Sequence, residues 1–285
     1  MNNIKPNPGK QIDIIVHGKT YSRYPIKTEV FKNGDDYGKK IADEVAKVVS
    51  GIFTCHAELV SASQKKIPNQ VRDDKNNQWY IIVSEKIVAI SQGRSYFIKD
   101  IKPSWVATML SKYVRKTPHG IGLGSPWTMQ LAIGEVGLPR ILLASVLSIL
   151  TKPFGLRGVF YHVAGREAAA IDGPTEYSLY PSNVSAKLAP KDPKKAAEKI
   201  RMSIQMFLSS RANQSEVEGS LQEEISRQAR NDDETFAGVV IIDANDLGRN
   251  VLGNATDKPD SFFEEVMRDN PMGQGSEQTP VVIIV

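Results

Sequence analysis

The stretch AAAIDGPTEYSLYPSNVSAKLAPKDP, from Ala168 to Pro193, contains an aspartate at the end of an apolar run. The run ends in Ile171-Asp172, and Gly173-Pro174 breaks it at once. We therefore expect a buried strand that ends at Asp172 and turns its carboxylate toward a loop, which is the position of a metal or phosphate ligand. The alternative is that Asp172 only begins the following turn, as aspartates often do.

A second aspartate follows farther along the chain in the same setting. The β-branched run Val239–Ile242 leads into Asp243 and then into the polar loop Ala244–Arg249. Two carboxylates, each at the end of an apolar strand, can share one divalent cation. Here too the alternative is a turn residue without a metal.

The composition is that of a globular chain of 285 residues, which is long enough for one large domain or two lobes with a real core. The apolar fraction is 41%, the charged fraction is 24%, and the formal net charge of +4 is slight. Basic residues are spread along the chain with one modest cluster, Lys191–Arg201. Nucleic acid is therefore not indicated as a partner.

The sequence favours a cytoplasmic setting. Cys55 is the single cysteine, so no internal disulfide can form. The N-terminal MNNIKPNPGK has no apolar core and does not read as a secretory signal. The longest apolar run, Ile141–Leu150, is too short to span a bilayer and is expected to be a buried helix, so we expect no membrane partner.

Strands and helices alternate irregularly, which predicts an α+β fold with mixed sheets and flanking helices. We divide it into an N-terminal lobe, 1–170, and a C-terminal lobe, 171–285. Tyr24–Thr28 is expected to be a stiff loop because Pro25 fixes its own φ and restricts Tyr24. The expected strands are Gln11–Val16, Trp79–Val83, Val239–Ile242 and Pro280–Val285, and helices are expected over Asp36–Ser50, Ser104–Tyr113, Thr128–Val136, Arg140–Leu150, from Asp192 onward and over Phe262–Met267.

Residues 53–76 interrupt this order. The segment FTCHAELVSASQKKIPNQVRDDKN has no helical or strand period, and it lies where a short connection is expected. It resembles the translation of small palindromic repeat elements found in some bacterial genomes, which makes it an inserted surface loop in which Cys55 and His56 carry no chemistry. The alternative is an ordinary long loop that binds a partner.

Two further segments each allow two interpretations. Thr117–Trp127 has three glycines at alternate positions, which suits a phosphate cradle or a tight packing site, and its His119 is either an acid–base group or a backbone partner. Lys152–Arg166 is basic and contains Arg157 and His162 beside aromatic residues. It either holds an anionic substrate or forms an edge strand with core aromatics.

An ordered set of motifs resembles one family. The set begins with Pro25-Ile26-Lys27-Thr28 and Gly34-Asp35-Asp36, continues through Ser84–Ala89, Gly93-Arg94, Ile171-Asp172, Ser182-Asn183 and Pro190–Pro193, and ends with Ile241-Ile242-Asp243 and Gly248-Arg249. In this order the residues are similar to the coenzyme F(420)-0 gamma-glutamyl ligase family. The match runs over most of the chain outside 53–76.

The resemblance implies an intertwined α+β homodimer that uses GTP with Mg²⁺ or Mn²⁺ to add L-glutamate to a carboxylate-bearing cofactor through an acyl phosphate. The acceptor is of the F(420)-0 type or is a folate. Asp172 and Asp243 are implied as catalytic metal ligands. The implied nucleotide-binding residues are Tyr24, Pro25, Ile26, Lys86, Asn183, Gly273, Gln274 and Gly275, and Arg157 and Arg249 are reasonable clamps for phosphate or carboxylate.

Four features depart from the family pattern. The family has a compact Asp-x-x-Asn, whereas GPTEYSLYPS separates Asp172 from Asn183 in this chain. Ala244 stands where the family has a threonine after the second aspartate, and Ala89-Ile90 stands where it has a Ser-Lys pair. The chain is also shorter than the family pattern after Arg249. These departures support a second hypothesis, a non-catalytic descendant that binds nucleotide. A third hypothesis is a dimeric structural protein in which both aspartates are turn residues.

Overall fold

The computed structural model describes residues 5–49, 78–114, 122–156, 158–174, 180, 182–217, 235–244, 248–273 and 276–285. These residues form two compact units. The first comprises residues 1–31, 35–88 and 192–285, and the second comprises 32–34 and 89–191. The expected boundary at 170/171 lies inside the second unit. The inserted segment 53–76 is outside the described residues.

The first unit contains a mixed six-stranded sheet. Its strands are β1 (Asp13–Val16), β2 (Lys19–Ile26), β3 (Trp79–Ser84), β6 (Phe236–Ala244), β7 (Arg249–Ala255) and β8 (Val281–Ile284), numbered with the two strands of the second unit, β4 (Ser95–Phe97) and β5 (Ser185–Lys187). The order across the sheet is β1-β2-β8-β3-β6-β7. Only β3 and β6 pair in parallel among the described strands. The mixed sheet and its helices confirm the predicted α+β class.

Helices lie on both faces of this sheet. Alternate residues of β3, β6 and β8, such as Ile82, Val240 and Val282, pack with Phe262 and Phe263 of helix α9 (Asp260–Val266). The opposite face of β6 and β7 contacts helix α8 (Pro193–Val217). The buried stripe of α8 is the predicted one, with Ala196, Ile200, Ile204 and Leu208 at most 2% exposed.

Helix α1, residues 37–49, packs beside the early part of α8. The Lys199 ammonium lies 2.9 Å from Asp36 and stacks 4.6 Å from the Tyr37 ring centre. A Cβ on Gly38 would lie 2.7 Å from the Ser203 hydroxyl, so the absence of a side chain there permits the close approach. The predicted helix after Asp36 is therefore confirmed.

Arg23 connects the start of the first unit to the segment after α9. Its side chain is only 1% exposed and forms an ion pair with Asp269. Its guanidinium also donates to the carbonyls of Gln11 at 2.7 Å, Ile12 at 3.2 Å and Val266 at 2.9 Å. The planar fork of arginine satisfies all of these acceptors at once, which a lysine could not do.

The second unit is mainly helical. Its helices are α3 (Trp105–Ser111), α4 (Pro126–Val136), α5 (Leu138–Thr151), α6 (Val159–Ala164) and α7 (Arg166–Ala169), while α2 (Glu85–Ser91) carries the chain into the unit. Leu123, Met129, Ile141 and Ala164 are fully buried in its core. Arg94 donates to the Ala189 carbonyl and pairs with Glu135, so this arginine of the Gly93-Arg94 motif is tied into the packing.

None of the described helices is, on its own, long and apolar enough to cross a membrane. Helix α4 and Leu138–Phe154 are long and apolar enough only when they are taken together, and the two segments meet at a bend of 116°.

Four local expectations are wrong. Ile141–Leu150 is helical but is not a buried helix, since five of its large apolar side chains are 41–65% exposed. Tyr24–Ile26 is part of strand β2 and not a loop, because Pro25 lies where β2 has β8 as its only neighbour and no second strand needs its missing N–H. The run before Asp172 is the short helix α7, which suits the high helix propensity of alanine. Lys152–Arg166 contains helix α6 between Gly158 and Gly165 and is not an edge strand.

We predict that Arg23→Met lowers the free energy of unfolding by about 3 kcal/mol, because three carbonyls and a carboxylate lose their donor in a buried position. Urea denaturation measures this. Arg268→Met is the matched control, since Arg268 pairs with Glu265 at 47% and 40% exposure and should change stability by less than about 1 kcal/mol. Equal effects of the two substitutions would contradict a structural role for Arg23.

The same ion pair predicts a pH dependence of stability. Burial acts to raise the pKa of Asp269, but the hydrogen bond and charge of Arg23 outweigh it, so the pKa lies below its ordinary value. A carboxyl group with a lowered folded pKa stabilises the fold above its unfolded pKa of about 3.9, and this contribution is lost as the pH falls through the folded pKa. Below about pH 4, the free energy of unfolding should therefore fall less steeply with decreasing pH for Arg23→Met than for the wild type.

Candidate functional site

The parallel strands β3 and β6 end at the same edge of the sheet. Ser84 pairs with Ile242, so Glu85-Lys86 and Asp243 follow at the same level on neighbouring strands. Ligands of sheets with parallel strands bind outside the carboxyl ends of those strands. The predicted strand before Asp243 is confirmed, with Val239, Val240, Ile241 and Ile242 all fully buried.

Asp243 projects from the face of the sheet that contacts α8. In a strand, side chains alternate between the two faces, so Asp243 shares its face with Ile241, while Ile242 packs toward α9. Its partner on β7 is Asn250, which points to the same face. Asp243 is half-buried, so its carboxylate stands at the boundary between the core and the loop that follows.

The first turn of α8 packs on the face of the sheet that carries this aspartate. Gly253 of β7 pairs with Ile241, and a Cβ on Gly253 would lie 2.3 Å from the Pro193 carbonyl oxygen and 2.8 Å from the Lys194 nitrogen. Asp243 is two residues farther along the strand on the same face, which is about 7 Å. The beginning of a 25-residue helix is thereby placed near the carboxylate.

This juxtaposition suits a cation and a phosphate together. The N-terminus of a helix carries partial positive charge and unpaired N–H groups, which favour a phosphate oxygen. Lys194 and Lys195 in the first turn are exposed. Asp243 supplies the oxygen ligand that Mg²⁺ prefers, and phosphate oxygens commonly complete such a coordination shell.

Glu85 and Lys86 stand at the end of β3. The backbone N–H of Lys86 donates to the Ser84 hydroxyl at 3.4 Å, and the side chain of Lys86 is half-buried. Glu85 is 6% exposed. The sequence analysis selected Lys86 but not Glu85, although Glu85 is a carboxylate directly after a strand, which is the same signal that selected Asp243.

Arg249 is not on the face that carries Asp243. It pairs with Ala244, one position away from the Asp243–Asn250 pair, so its side chain points to the α9 side of the sheet. Its guanidinium donates to the Arg268 carbonyl at 3.0 Å. The strand register therefore does not support a role for Arg249 in binding phosphate beside Asp243.

Asp172 and Asn183 belong to the second unit. The N–H of Asp172 donates to the Lys187 carbonyl at 2.9 Å, and the N–H of Lys187 donates to the Asp172 carbonyl at 2.8 Å. Asn183 lies in the 3₁₀ turn Ser182–Val184, just before β5. The Asn183 Oδ1 is buried and accepts no hydrogen bond from the described residues, which is the environment of an oxygen that binds a ligand.

Ten residues separate Asp172 from Asn183 in the sequence. The backbone bridge between Asp172 and Lys187 nevertheless places Asp172 beside β5, the strand that follows Asn183. The residue three positions before Asn183 is Tyr180, which is 69% exposed. A phenol therefore stands where a compact Asp-x-x-Asn would have its carboxylate. Asp172 is in the second unit and Asp243 in the first, so the shared cation stays a prediction.

The remaining predicted site residues are buried in a strand, lie in a turn, or are outside the described residues. Tyr24 and Ile26 are 5% and 3% exposed within β2, so both side chains are buried in the fold. Gly273 has a φ of 75° and closes a turn against Glu277. Outside the described residues lie Cys55, His56, His119, Arg157, Gln274 and Gly275, and their roles stay predictions. Within the described part of the chain, no group of three or more His, Cys, Asp or Glu side chains is placed to hold a metal ion.

Comparison with known proteins gives one finding. A family model described as F420-0:Gamma-glutamyl ligase matches residues 25–212, which is more than half of the chain. The matched region includes Lys86, Asp172 and Asn183 and ends before Asp243. No match is found among the curated proteins.

We predict that Gly253→Ala lowers the free energy of unfolding by about 1–3 kcal/mol, because the added methyl group must displace the backbone at the start of α8. Thermal or urea denaturation measures this effect. Gly134→Ala in α4 is the control, since a Cβ there meets nothing within 4 Å. That substitution should be neutral or stabilising in a helix. A neutral Gly253→Ala would contradict the close contact between β7 and α8.

Proposed function

The chain belongs to the F420-0:gamma-glutamyl ligase family, and from this we propose a GTP- and divalent-metal-dependent γ-glutamyl ligase. The proposed reaction joins L-glutamate through its amine to a carboxylate of a cofactor. The acceptor is a deazaflavin of the F(420)-0 type or a folate. A homodimer in the cytoplasm, working on small-molecule substrates, is part of the proposal.

The chemistry requires an activated carboxylate, since a carboxylate is a poor electrophile. The acceptor carboxylate attacks the γ-phosphorus of GTP, which forms an acyl phosphate and releases GDP. The amine of glutamate then attacks the acyl carbon, a proton leaves the nitrogen, and phosphate departs as the amide bond forms. Positioning and charge neutralisation account for most of the catalysis in such transfers.

The observation that supports the proposal is that Asp243 and the first turn of α8 lie on the same face of the sheet. The N–H groups of this turn, with Lys194 and Lys195, would bind phosphate oxygens of the nucleotide. Lys86, at the end of the adjacent strand, would add a positive charge toward the same edge of the sheet. These groups orient the phosphates for in-line attack and hold negative charge as it develops.

Asp243 and Asp172 are the proposed ligands of Mg²⁺ or Mn²⁺, and the buried Oδ1 of Asn183 suits either the metal or the nucleotide. When bound, the metal neutralises the triphosphate and acts as a Lewis acid on the phosphoryl group. The donor set of carboxylate and amide oxygens fits a hard cation of this kind.

A second candidate function is nucleotide binding without turnover. Two specific replacements favour it. Ala244 follows Asp243 where the family has threonine, and Tyr180 stands three positions before Asn183 where the family pattern has an aspartate. The first replacement removes a hydroxyl group, the second puts a phenol in place of a carboxylate, and both leave the helix N-terminus of α8 in place. Affinity for nucleotide would then survive while phosphoryl transfer is lost.

We predict that GTP with Mn²⁺ raises the thermal midpoint of the wild-type protein and that Asp243→Asn and Asp172→Asn each reduce this shift. A ligand at one hundred times its dissociation constant stabilises the folded state by about 2.7 kcal/mol, which is readily measured. The measurement is differential scanning fluorimetry, followed by phosphate release with L-glutamate and each acceptor. Phosphate release that depends on glutamate and one acceptor identifies the substrate.

The control is Asp257→Asn, because Asp257 is an exposed carboxylate beyond the other end of β7. Its shift with GTP and Mn²⁺ should equal that of the wild type. A shift without phosphate release under any acceptor would favour the second candidate. No shift with GTP or ATP in the wild type would overturn both candidates.

A further inference from the structure

Lys187 is a buried lysine at the end of strand β5. The three residues of this strand, Ser185, Ala186 and Lys187, are 2%, 0% and 4% exposed. A lysine is seldom buried to this degree unless its ammonium group has a partner of opposite charge, because removing the charge from water costs free energy. An apolar side chain would fill such a position without that cost, so the buried ammonium group indicates a chemical role.

The strand pairing places the Asp172 carboxylate beside Lys187. Asp172 and Lys187 form an antiparallel bridge, in which each N–H donates to the carbonyl of the other. Residues that are directly opposite in an antiparallel pair have their side chains on the same face, with Cβ atoms about 4.5–5.5 Å apart. Ser95 of β4 is opposite Lys187 on the other side. One face of this small sheet therefore carries a hydroxyl group, an ammonium group and a carboxylate in a row.

A buried acceptor lies in the same segment of the chain. The Oδ1 atom of Asn183 is buried and accepts no hydrogen bond from the described residues. Asn183 is in the 3₁₀ turn Ser182–Val184, and β5 follows this turn directly. The segment thus contains an oxygen that suits a cation and an ammonium group that suits an anion.

The ammonium group of Lys187 changes which ligands Asp172 can accept. A divalent cation alone at Asp172 would meet a like charge close by, in a buried setting that solvent screens little. It would also take the carboxylate from Lys187 and leave a buried ammonium group without its countercharge. A cation that arrives with a phosphate group avoids this cost, because a phosphate oxygen gives the ammonium group a new partner.

We propose that Lys187 binds a phosphate oxygen of the nucleotide and makes Asp172 selective for a metal–nucleotide complex over the free metal ion. The inference rests on the proposed function, because it adds a residue to the nucleotide site that is proposed to include Asp172. No pattern in the sequence distinguishes Lys187, since only the bridge shows which residue is opposite Asp172. The alternative is a structural pair of Asp172 and Lys187, which predicts no preference between the two ligands.

The test is a pair of titrations of the full chain. Electron paramagnetic resonance measures the binding of Mn²⁺ alone, and calorimetry measures the binding of GTP at saturating Mn²⁺. We expect Lys187→Met to weaken GTP binding by about tenfold or more, because a charge-assisted hydrogen bond is lost. The same substitution should strengthen the binding of Mn²⁺ alone by about tenfold, because the competing ammonium group is gone. A structural role would weaken both or change neither, so opposite signs are the decisive result.

A double variant locates the metal binding that is gained. In Lys187→Met with Asp172→Asn, the tighter binding of Mn²⁺ alone should disappear, since the carboxylate that provides it has been removed. This variant lacks both charges and should fold even where a lone carboxylate destabilises Lys187→Met. Lys187→Gln still donates a hydrogen bond to the carboxylate, and it should change both dissociation constants in the same directions by a smaller factor.

The matched control is Lys99→Met. Lys99 is an exposed lysine of the same unit, in the 3₁₀ turn that follows β4, and its loss changes the net charge equally. Both dissociation constants should stay within about twofold of the wild type, because salt screens an exposed charge. Circular dichroism melts verify that the variants fold.

The outcomes separate this inference from the proposed function. Wild type that binds no GTP with Mn²⁺ would overturn both. Wild type that binds GTP, with Lys187→Met and Lys187→Gln weakened in both titrations or changed in neither, would overturn this inference alone. A gain in Mn²⁺ binding that survives in the double variant would also overturn it, because the gained site would then not be Asp172.

Discussion

The hydrogen bonds between the parallel strands β3 and β6 are the constraint on which the rest of the structure depends. Parallel neighbours cannot be joined by a tight turn, so the chain between Ser84 and Phe236 must cross over. This crossover contains residues 89–191 of the second unit and helix α8. The same pairing brings the ends of β3 and β6 to one edge of the sheet, where α2 begins with Glu85-Lys86 after β3 and where β6 carries Asp243.

The close contact between Gly253 and the start of α8 determines which chemical groups lie near this edge of the sheet. Because glycine lets the backbone of α8 approach β7 directly, the beginning of the helix stands next to the strand that carries Asp243. A carboxylate favours a cation and a helix N-terminus favours an anion, so a metal–phosphate complex suits both. The nucleotide site that we propose for the first unit is therefore built from backbone geometry as much as from side chains.

The sequence predicted the elements whose periodicity is strong and missed those that depend on tertiary context. Helix α8 was recognisable from Ala196, Ile200, Ile204 and Leu208, and β6 from its β-branched run before Asp243. Tyr24–Ile26 was mistaken for a loop, because only the register shows that Pro25 lacks a second strand neighbour. Of the candidate site, Asp243 was found, whereas the first turn of α8 could not be, since nothing in the sequence pairs Gly253 with Pro193.

The position of β8 has a consequence for synthesis of the protein on the ribosome. This strand is the last in sequence, yet it lies between β2 and β3, which precede it by more than half of the chain. Until Val281–Ile284 have emerged, β2 and β3 have no partner on their facing edges, and open edges invite pairing with other chains. The middle of the sheet therefore closes only after residues 281–284 are made, and its long-range contacts make closure slow. Newly made chains therefore pass through a stage at which the edges of β2 and β3 are open to pairing with other chains.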